Sequence, residues 1–183
     1  MKGEEWLREQ TTSTTDSWDS KLRTLLKSSS SNNKIALVGM GHPLRSDDYA
    51  GSYIVKKLIE EAKGALLGNV RLVDAEDNVE ALITRIANLG PEHVVFVDAC
   101  EMKASPGETQ LISVTQTTYP FFTTHGIPLK LIAERLLPES EVWILAIQPK
   151  NTGFGETLSP EIRNAADLIS KFIKKLADQE TSS

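Results

Sequence analysis

Short apolar runs alternate along most of the chain with longer segments whose apolar residues recur at helical spacing. The runs suit β-strands that are buried on both faces, and the longer segments suit helices with one apolar face. Strand–helix alternation of this kind predicts an α/β fold. We therefore expect a three-layer sandwich, in which a twisted, mostly parallel five-stranded sheet carries helices on both faces. The predicted strands cover residues 35–38, 70–73, 94–97, 109–114 and 142–147.

The first 33 residues differ in composition from the rest of the chain. Polar, turn-prone stretches flank a segment in which apolar residues from Trp18 to Leu26 recur at helical spacing. We interpret residues 1–33 as a polar extension that carries a short amphipathic helix. This helix can pack on the domain or bind a partner, and packing is the commoner role of such an apolar stripe. Residues 34–178 are predicted to form a single α/β domain, and residues 179–183 a disordered tail.

Charge and cysteine content exclude several classes of protein. The chain has 20 Lys and Arg residues against 25 Asp and Glu residues, so its net charge is −5, and it contains no sizeable basic cluster. Nucleic-acid binding is therefore not expected. Cys100 is the only cysteine, which excludes an intramolecular disulfide. Because no apolar run approaches the ~20 residues of a membrane span, we expect a cytoplasmic protein that binds no membrane. We also expect a monomer.

Acidic and imidazole side chains follow the predicted strands, where ligand sites of open α/β sheets lie. Asp47 and Asp48 close the turn after the first strand, Asp98 ends the third, and His125 precedes a later helix. Taken alone, each has an ordinary explanation, because aspartates cap helices and form turns and histidines pack in cores. Of the adjacent pair, one can cap while the other points into the cleft. Together, Asp48, Asp98 and His125 are a three-ligand set for nickel or zinc that leaves coordination positions open.

A nucleotide site is an alternative for the turn after the first strand. Gly39 and Gly41 match the start of a dinucleotide-binding fingerprint, but Leu44 stands where the third glycine belongs. Pro43 lacks a backbone N–H that could bind a pyrophosphate. Asp74 ends the second strand, yet it lies well beyond the usual ~20-residue offset of a ribose-binding acid. The fingerprint is therefore only half matched.

Nucleophilic catalysis by a side chain has less support in the sequence. No Gly-x-Ser-x-Gly elbow occurs. Cys100 could pair with His125, but nothing around it resembles a cysteine protease, and a small buried thiol is the better interpretation.

Several motifs occur in order along the chain. They are Gly39-Met40-Gly41-His42-Pro43-Leu44-Arg45-Ser46-Asp47-Asp48, Val97-Asp98-Ala99, Pro106-Gly107-Glu108, Thr124-His125 ahead of Pro128-Leu129, and Gln148-Pro149. Together they resemble the hydrogenase maturation endopeptidases, in particular the branch that processes hydrogenase-3-type large subunits. The resemblance runs from about residue 34 to residue 175. His42 replaces the asparagine usual in that family, and Tyr49 replaces a residue that is often small.

The resemblance implies a metal-dependent, aspartic-type endopeptidase whose catalytic and metal-binding residues are Asp48, Asp98 and His125. Such an enzyme removes the C-terminal extension of the nickel-loaded precursor of the [NiFe]-hydrogenase large subunit, which is then its partner. Nickel is expected to come with the substrate, and zinc or another divalent metal can take its place in the isolated protein. The alternative is a chaperone-like protein that binds the precursor or its metal site without cutting it.

Overall fold

The computed structural model describes residues 17–28, 35–116, 123–124 and 127–180, and it arranges the predicted strands and helices as an α/β sandwich. The elements in chain order are α1 (Trp18–Ser28), β1 (Ile35–Met40), a 3₁₀ helix (Ser46–Tyr49), α2 (Ala50–Ala62), β2 (Leu66–Leu67), β3 (Val70–Glu76), α3 (Val79–Asn88), β4 (His93–Ala99), β5 (Thr109–Ser113), β6 (Thr123–Thr124), β7 (Ile127–Pro128), α4 (Leu129–Leu136), β8 (Glu141–Ile147) and α5 (Pro160–Glu180).

The main sheet has the strand order β2-β3-β1-β4-β8-β5. Strands β3, β1, β4 and β8 are parallel, whereas β2 and β5 pair antiparallel at the two edges. The predicted fold class is confirmed, but the described residues form six strands in this sheet rather than five. The additional strand is β2, whose two residues are too few to show an alternating pattern. Strands β6 and β7 pair separately as a small antiparallel ribbon.

Alternate residues of the parallel strands enter two apolar cores on opposite faces of the sheet. Leu37 and Val95 pack with α1, α2 and α5. Their neighbours Val38 and Phe96 pack with α3 and α4 on the other face. Burial on both faces explains why these strands are continuous apolar runs. No helix in the described part of the chain combines the length and the apolar character that a membrane span requires.

Helix α1 packs against the sandwich, as expected for an amphipathic segment. Leu22 and Leu26 are buried in the core that α2 and α5 share. The Trp18 ring meets the Phe172 ring of α5 edge-on, with 5.3 Å between centroids. The Asn69 side chain donates a hydrogen bond of 3.1 Å to the Leu26 carbonyl. The boundary at residue 33 stays a prediction, because residues 29–34 lie outside the described part of the chain.

The direction in which strands are added changes between β1 and β4. From β1 the chain passes through α2 to β3 on one side, and from β3 through α3 to β4 on the other side of β1. A crevice at the carboxyl ends of two such strands is the usual ligand site of an open α/β sheet. The turn after β1 and the end of β4 therefore mark the place where chemistry is expected.

Candidate active site

Two glycines let the turn after β1 approach the end of β4. Gly41 has a φ of +119°, and a Cβ there would overlap the carbonyl group of Asp48. A Cβ at Gly51, near the start of α2, would overlap the carbonyl of Val97. Because neither position has a side chain, the 3₁₀ helix that carries Asp48 lies against the end of β4 that carries Asp98.

Asp48 and Asp98 are both half-buried residues at this edge of the sheet. Burial raises the pKa of Asp98 to about 8, and the negative charge of Asp48 adds to the increase. Asp48 Oδ2 accepts a hydrogen bond of 3.0 Å from the backbone N–H of His42. Two neighbouring carboxyls whose negative charges repel each other are typical of sites that bind a cation or share a proton.

His125, the third predicted ligand, lies outside the described residues. The structure therefore brings together Asp48 and Asp98, while the meeting of all three side chains at one metal stays a prediction. Among the residues that the structure describes, no three or more His, Cys, Asp and Glu side chains are grouped so that they could hold a metal ion. A complete three-ligand site would thus need His125.

Asp47 has a structural environment that differs from that of its neighbour. Its carboxylate is fully buried. Oδ2 accepts hydrogen bonds from the backbone N–H of Lys150 (2.9 Å), the backbone N–H of Asn151 (2.8 Å) and the hydroxyl of Ser159 (2.9 Å), and Oδ1 accepts one from the Ser159 N–H (2.6 Å). Four donors occupy this carboxylate, so it is poorly placed to accept a proton from water. The helix start that it stabilises is that of α5 rather than that of its own segment.

Cys100 is a buried thiol, as the sequence suggested. Its Sγ lies 3.8 Å from the Asp98 carbonyl oxygen, which can accept a weak hydrogen bond from it. Burial, followed by the nearby charges of Asp98 and Asp48, raises the pKa of Cys100 well above its usual value. A neutral, buried thiol is a poor nucleophile.

Comparisons with known proteins identify the family. The model of the hydrogenase maturation protease family matches residues 52–176. The chain belongs to this family. The hydrogenase 3 maturation protease of Escherichia coli strain K12 is 30% identical over 135 residues, which are 73% of this chain and 84% of that protein.

Two solved structures of hydrogenase maturation proteases also resemble this fold. The crystal structure of the [NiFe] hydrogenase maturation protease HycI from Thermococcus kodakarensis has a TM-score of 0.72 and 27% identity, and the match covers 85% of this chain and 99% of that one. The solution structure of the endopeptidase HycI from Escherichia coli has a TM-score of 0.66 and 27% identity, with coverage of 78% and 90%.

At His42, where this chain differs from the pattern described for hydrogenase maturation proteases, the backbone rather than the ring contacts Asp48. Ring Nδ1 accepts a hydrogen bond of 3.1 Å from the Leu44 N–H, and Nε2 lies 4.0 Å from Asp77 Oδ2. The Leu44 contact occupies Nδ1, so this ring nitrogen is not free to bind a metal ion. The other departure, Tyr49, meets the Tyr53 ring edge-on at 6.4 Å between centroids.

Asp74, the acid considered as a ribose ligand, is paired with a lysine of α2. Lys56 Nζ lies 3.4 Å from Asp74 Oδ2 and 2.6 Å from Glu76 Oε1. The hydrogen bond to Glu76 is the main reason why the pKa of Lys56 is raised, so the lysine stays charged. These ion pairs disfavour the nucleotide alternative, because Asp74 already has a cationic partner.

Gln148 braces the loop that follows Asp98, a role that sequence reasoning did not assign to it. Its side chain is buried. Oε1 accepts hydrogen bonds from the backbone N–H of Met102 (2.7 Å) and Ala104 (3.2 Å), and Nε2 donates one to Glu101 Oε2 (3.1 Å). The sequence did contain a sign of this role, because Gln148 directly follows the last apolar strand. A buried amide at the end of a strand must find hydrogen-bond partners at the same edge of the sheet.

Proposed function

We propose that the chain is an endopeptidase that removes the C-terminal extension of the nickel-loaded precursor of a [NiFe]-hydrogenase large subunit. Membership of the hydrogenase maturation protease family supports this proposal. The observation that carries it is the pair of neighbouring carboxyls beyond β1 and β4, where burial and, after it, the charge of Asp48 raise the pKa of Asp98. A cytoplasmic location and a monomeric state stay predictions.

In this proposal, Asp48, Asp98 and His125 bind the nickel ion that the immature substrate carries. A bound cation would remove the penalty that burial and Asp48 impose on the Asp98 carboxylate. Such a cation can polarise a nearby carbonyl group or activate a water molecule. Because nickel belongs to the substrate, these residues would bind the loaded precursor in preference to the empty one.

The attacking group in this proposal is water rather than a side chain. Cys100 is buried and its pKa is raised, so little thiolate forms near neutral pH. Asp47 is occupied by four hydrogen-bond donors and holds the rim of the site in place. In this proposal the acids beside the crevice bind and orient the substrate, and they do not attack it.

The proposed reaction can be tested with purified protein and a nickel-loaded precursor. We expect the precursor to lose the mass of its C-terminal extension, and the nickel-free precursor to stay intact. Asp48→Asn and His125→Ala should each slow cleavage by about 10³-fold or more. Glu139→Gln is a matched control, because it removes an exposed charge at the opposite, amino-terminal end of β8. Stable co-elution without any loss of mass would instead support the chaperone-like binder.

Replacement of Cys100 by alanine should leave the cleavage rate within about twofold of the wild-type rate, because a buried neutral thiol takes no part in a water-mediated reaction. Initial rates of precursor cleavage, measured by mass spectrometry, check this expectation. A rate reduced more than about 100-fold in a variant that keeps its circular dichroism spectrum would point to a nucleophilic cysteine instead.

A further inference from the structure

Phe154 is the most exposed large apolar side chain among the described residues, with 91% of its surface in contact with solvent. It lies in the connection between β8 and α5. A second apolar residue, Leu44, is 43% exposed and lies in the turn that leads to Asp48. Both residues thus belong to segments at the carboxyl edge of the sheet, where the candidate active site lies.

The two segments are joined through the backbone. The N–H of Gly155 donates a hydrogen bond of 3.0 Å to the Leu44 carbonyl, and the Ser46 N–H donates one of 2.8 Å to the Gly155 carbonyl. A Cβ at Gly155 would overlap the Ser46 hydroxyl, so a larger residue there would force the Ser46 side chain to move. Phe154 directly precedes Gly155 in the chain, and the Leu44 carbonyl is the hydrogen-bond partner of Gly155. Phe154 and Leu44 therefore lie on two segments whose backbones are hydrogen-bonded to each other.

Further bonds fix the β8–α5 connection at both ends. The buried carboxylate of Asp47 binds Lys150 and Asn151 at one end and Ser159 at the other. Asn151 Oδ1 also accepts a hydrogen bond of 3.0 Å from the Gly153 N–H. A segment that is held before binding loses little conformational entropy when a partner binds to it. The exposed Phe154 ring is thus presented from a pre-organised backbone.

We propose that Phe154 and Leu44 form a docking patch for an apolar stretch of the protein substrate next to the bond that is cut. The inference deepens the proposed function and rests on it. Two features favour this occupant: the patch is apolar, and it is continuous with the candidate active site, since Ser46 bonds to Gly155 two residues before Asp48. The patch contributes to binding of the substrate and leaves the chemical step to the acids.

Steady-state cleavage of the nickel-loaded precursor tests the patch. We expect Phe154→Ala to raise KM about tenfold and Leu44→Ala about threefold, with kcat within about twofold of wild type, because truncation of an aromatic anchor weakens binding. Phe154→Leu should restore most of the affinity. Leu66→Ala is the matched control, because Leu66 is 42% exposed and lies in edge strand β2, paired with the amino-terminal end of β3. It should leave KM unchanged.

Direct binding of the precursor, measured by fluorescence anisotropy, separates this inference from the proposed function. If the wild-type protein binds without cutting and Phe154→Ala weakens binding about tenfold, the docking patch stands and the endopeptidase proposal fails. If the wild-type protein cuts and Phe154→Ala has unchanged KM and affinity, the docking patch is wrong. It is also wrong if the wild-type protein does not bind the precursor, or if Phe154→Ala only converts a dimer to a monomer.

Discussion

Replacement of Asp98 by asparagine should lower the cleavage rate of a nickel-loaded precursor by about 10³-fold or more. The variant keeps the shape of the side chain but cannot become a carboxylate, so the proposed site loses one of its two anionic ligands. Asp98 lies near the end of β4, where burial raises its pKa and the nearby charge of Asp48 adds to the increase.

The same substitution should stabilise the metal-free protein at alkaline pH. Because the pKa of Asp98 is raised from 3.8 to about 8 in the folded state, the folded protein keeps a proton that the unfolded chain has lost between these two values. The free energy of unfolding therefore falls as pH rises from about 4 to about 8, and Asp98→Asn removes this decrease. The melting temperature of Asp98→Asn should therefore exceed that of the wild type at pH 8, by about 3 °C or more.

Rates and melting curves of one Asp98→Asn preparation check both effects. Melting temperatures of the metal-free wild type and variant should diverge from pH 5 to pH 8 and stay parallel above that range. Asp77→Asn is the control, because it also replaces an acid by its amide, and Asp77 is exposed just beyond β3. An Asp98→Asn protein that cleaves at the wild-type rate would remove this carboxyl from the mechanism.

Replacement of Asp47 by alanine should lower the free energy of unfolding by about 3–5 kcal/mol, because four hydrogen-bond donors lose the buried acceptor that they share. The donors are the backbone N–H groups of Lys150, Asn151 and Ser159 and the Ser159 hydroxyl. The start of α5 loses its link to the 3₁₀ helix in the same step. Cleavage should also weaken, because Asp48 is the next residue along the chain.

Urea denaturation of the metal-free protein measures this loss as a lower midpoint with an unchanged m-value. Ser159→Ala removes only the hydroxyl donor and keeps the backbone bond, so it should lower stability by about 1 kcal/mol. Asp77→Ala should change it by less than about 0.5 kcal/mol, as is usual for an exposed side chain. Asp47→Ala with the stability of Asp77→Ala would show that the buried network contributes little.

Much of the fold could be predicted because the relevant signals are local. The runs around Leu37, Val95 and Ile144 are apolar at every position, and each is a central strand buried on both faces. The stripe that includes Leu22 and Leu26 likewise became a helix packed on the core. Strand β2 was missed, because two residues carry no period and its pairing depends on the neighbouring edge of β3.

The sequence could predict only those site residues whose position follows from the end of a strand. The rule that sites lie beyond the carboxyl ends of strands placed Asp48 and Asp98 at one edge, and the structure brings them together. The difference between Asp47 and Asp48 could not be read from adjacent identical residues. It depends on hydrogen bonds to partners 103 to 112 residues later in the chain. The role of Gln148 depends in the same way on a loop 44 to 47 residues earlier.

The Asp47 network also bears on when the site can assemble during folding. Its acceptor lies near the start of α2, and its last donor, Ser159, lies immediately before the C-terminal helix. Contacts between such distant segments close late, because a long loop of chain must first be ordered. The rim of the crevice is therefore complete only after residue 159 has emerged from the ribosome and α5 has docked. A nascent chain can form the β1–α2–β3 half of the sheet earlier, while the edge that carries the candidate active site is still incomplete.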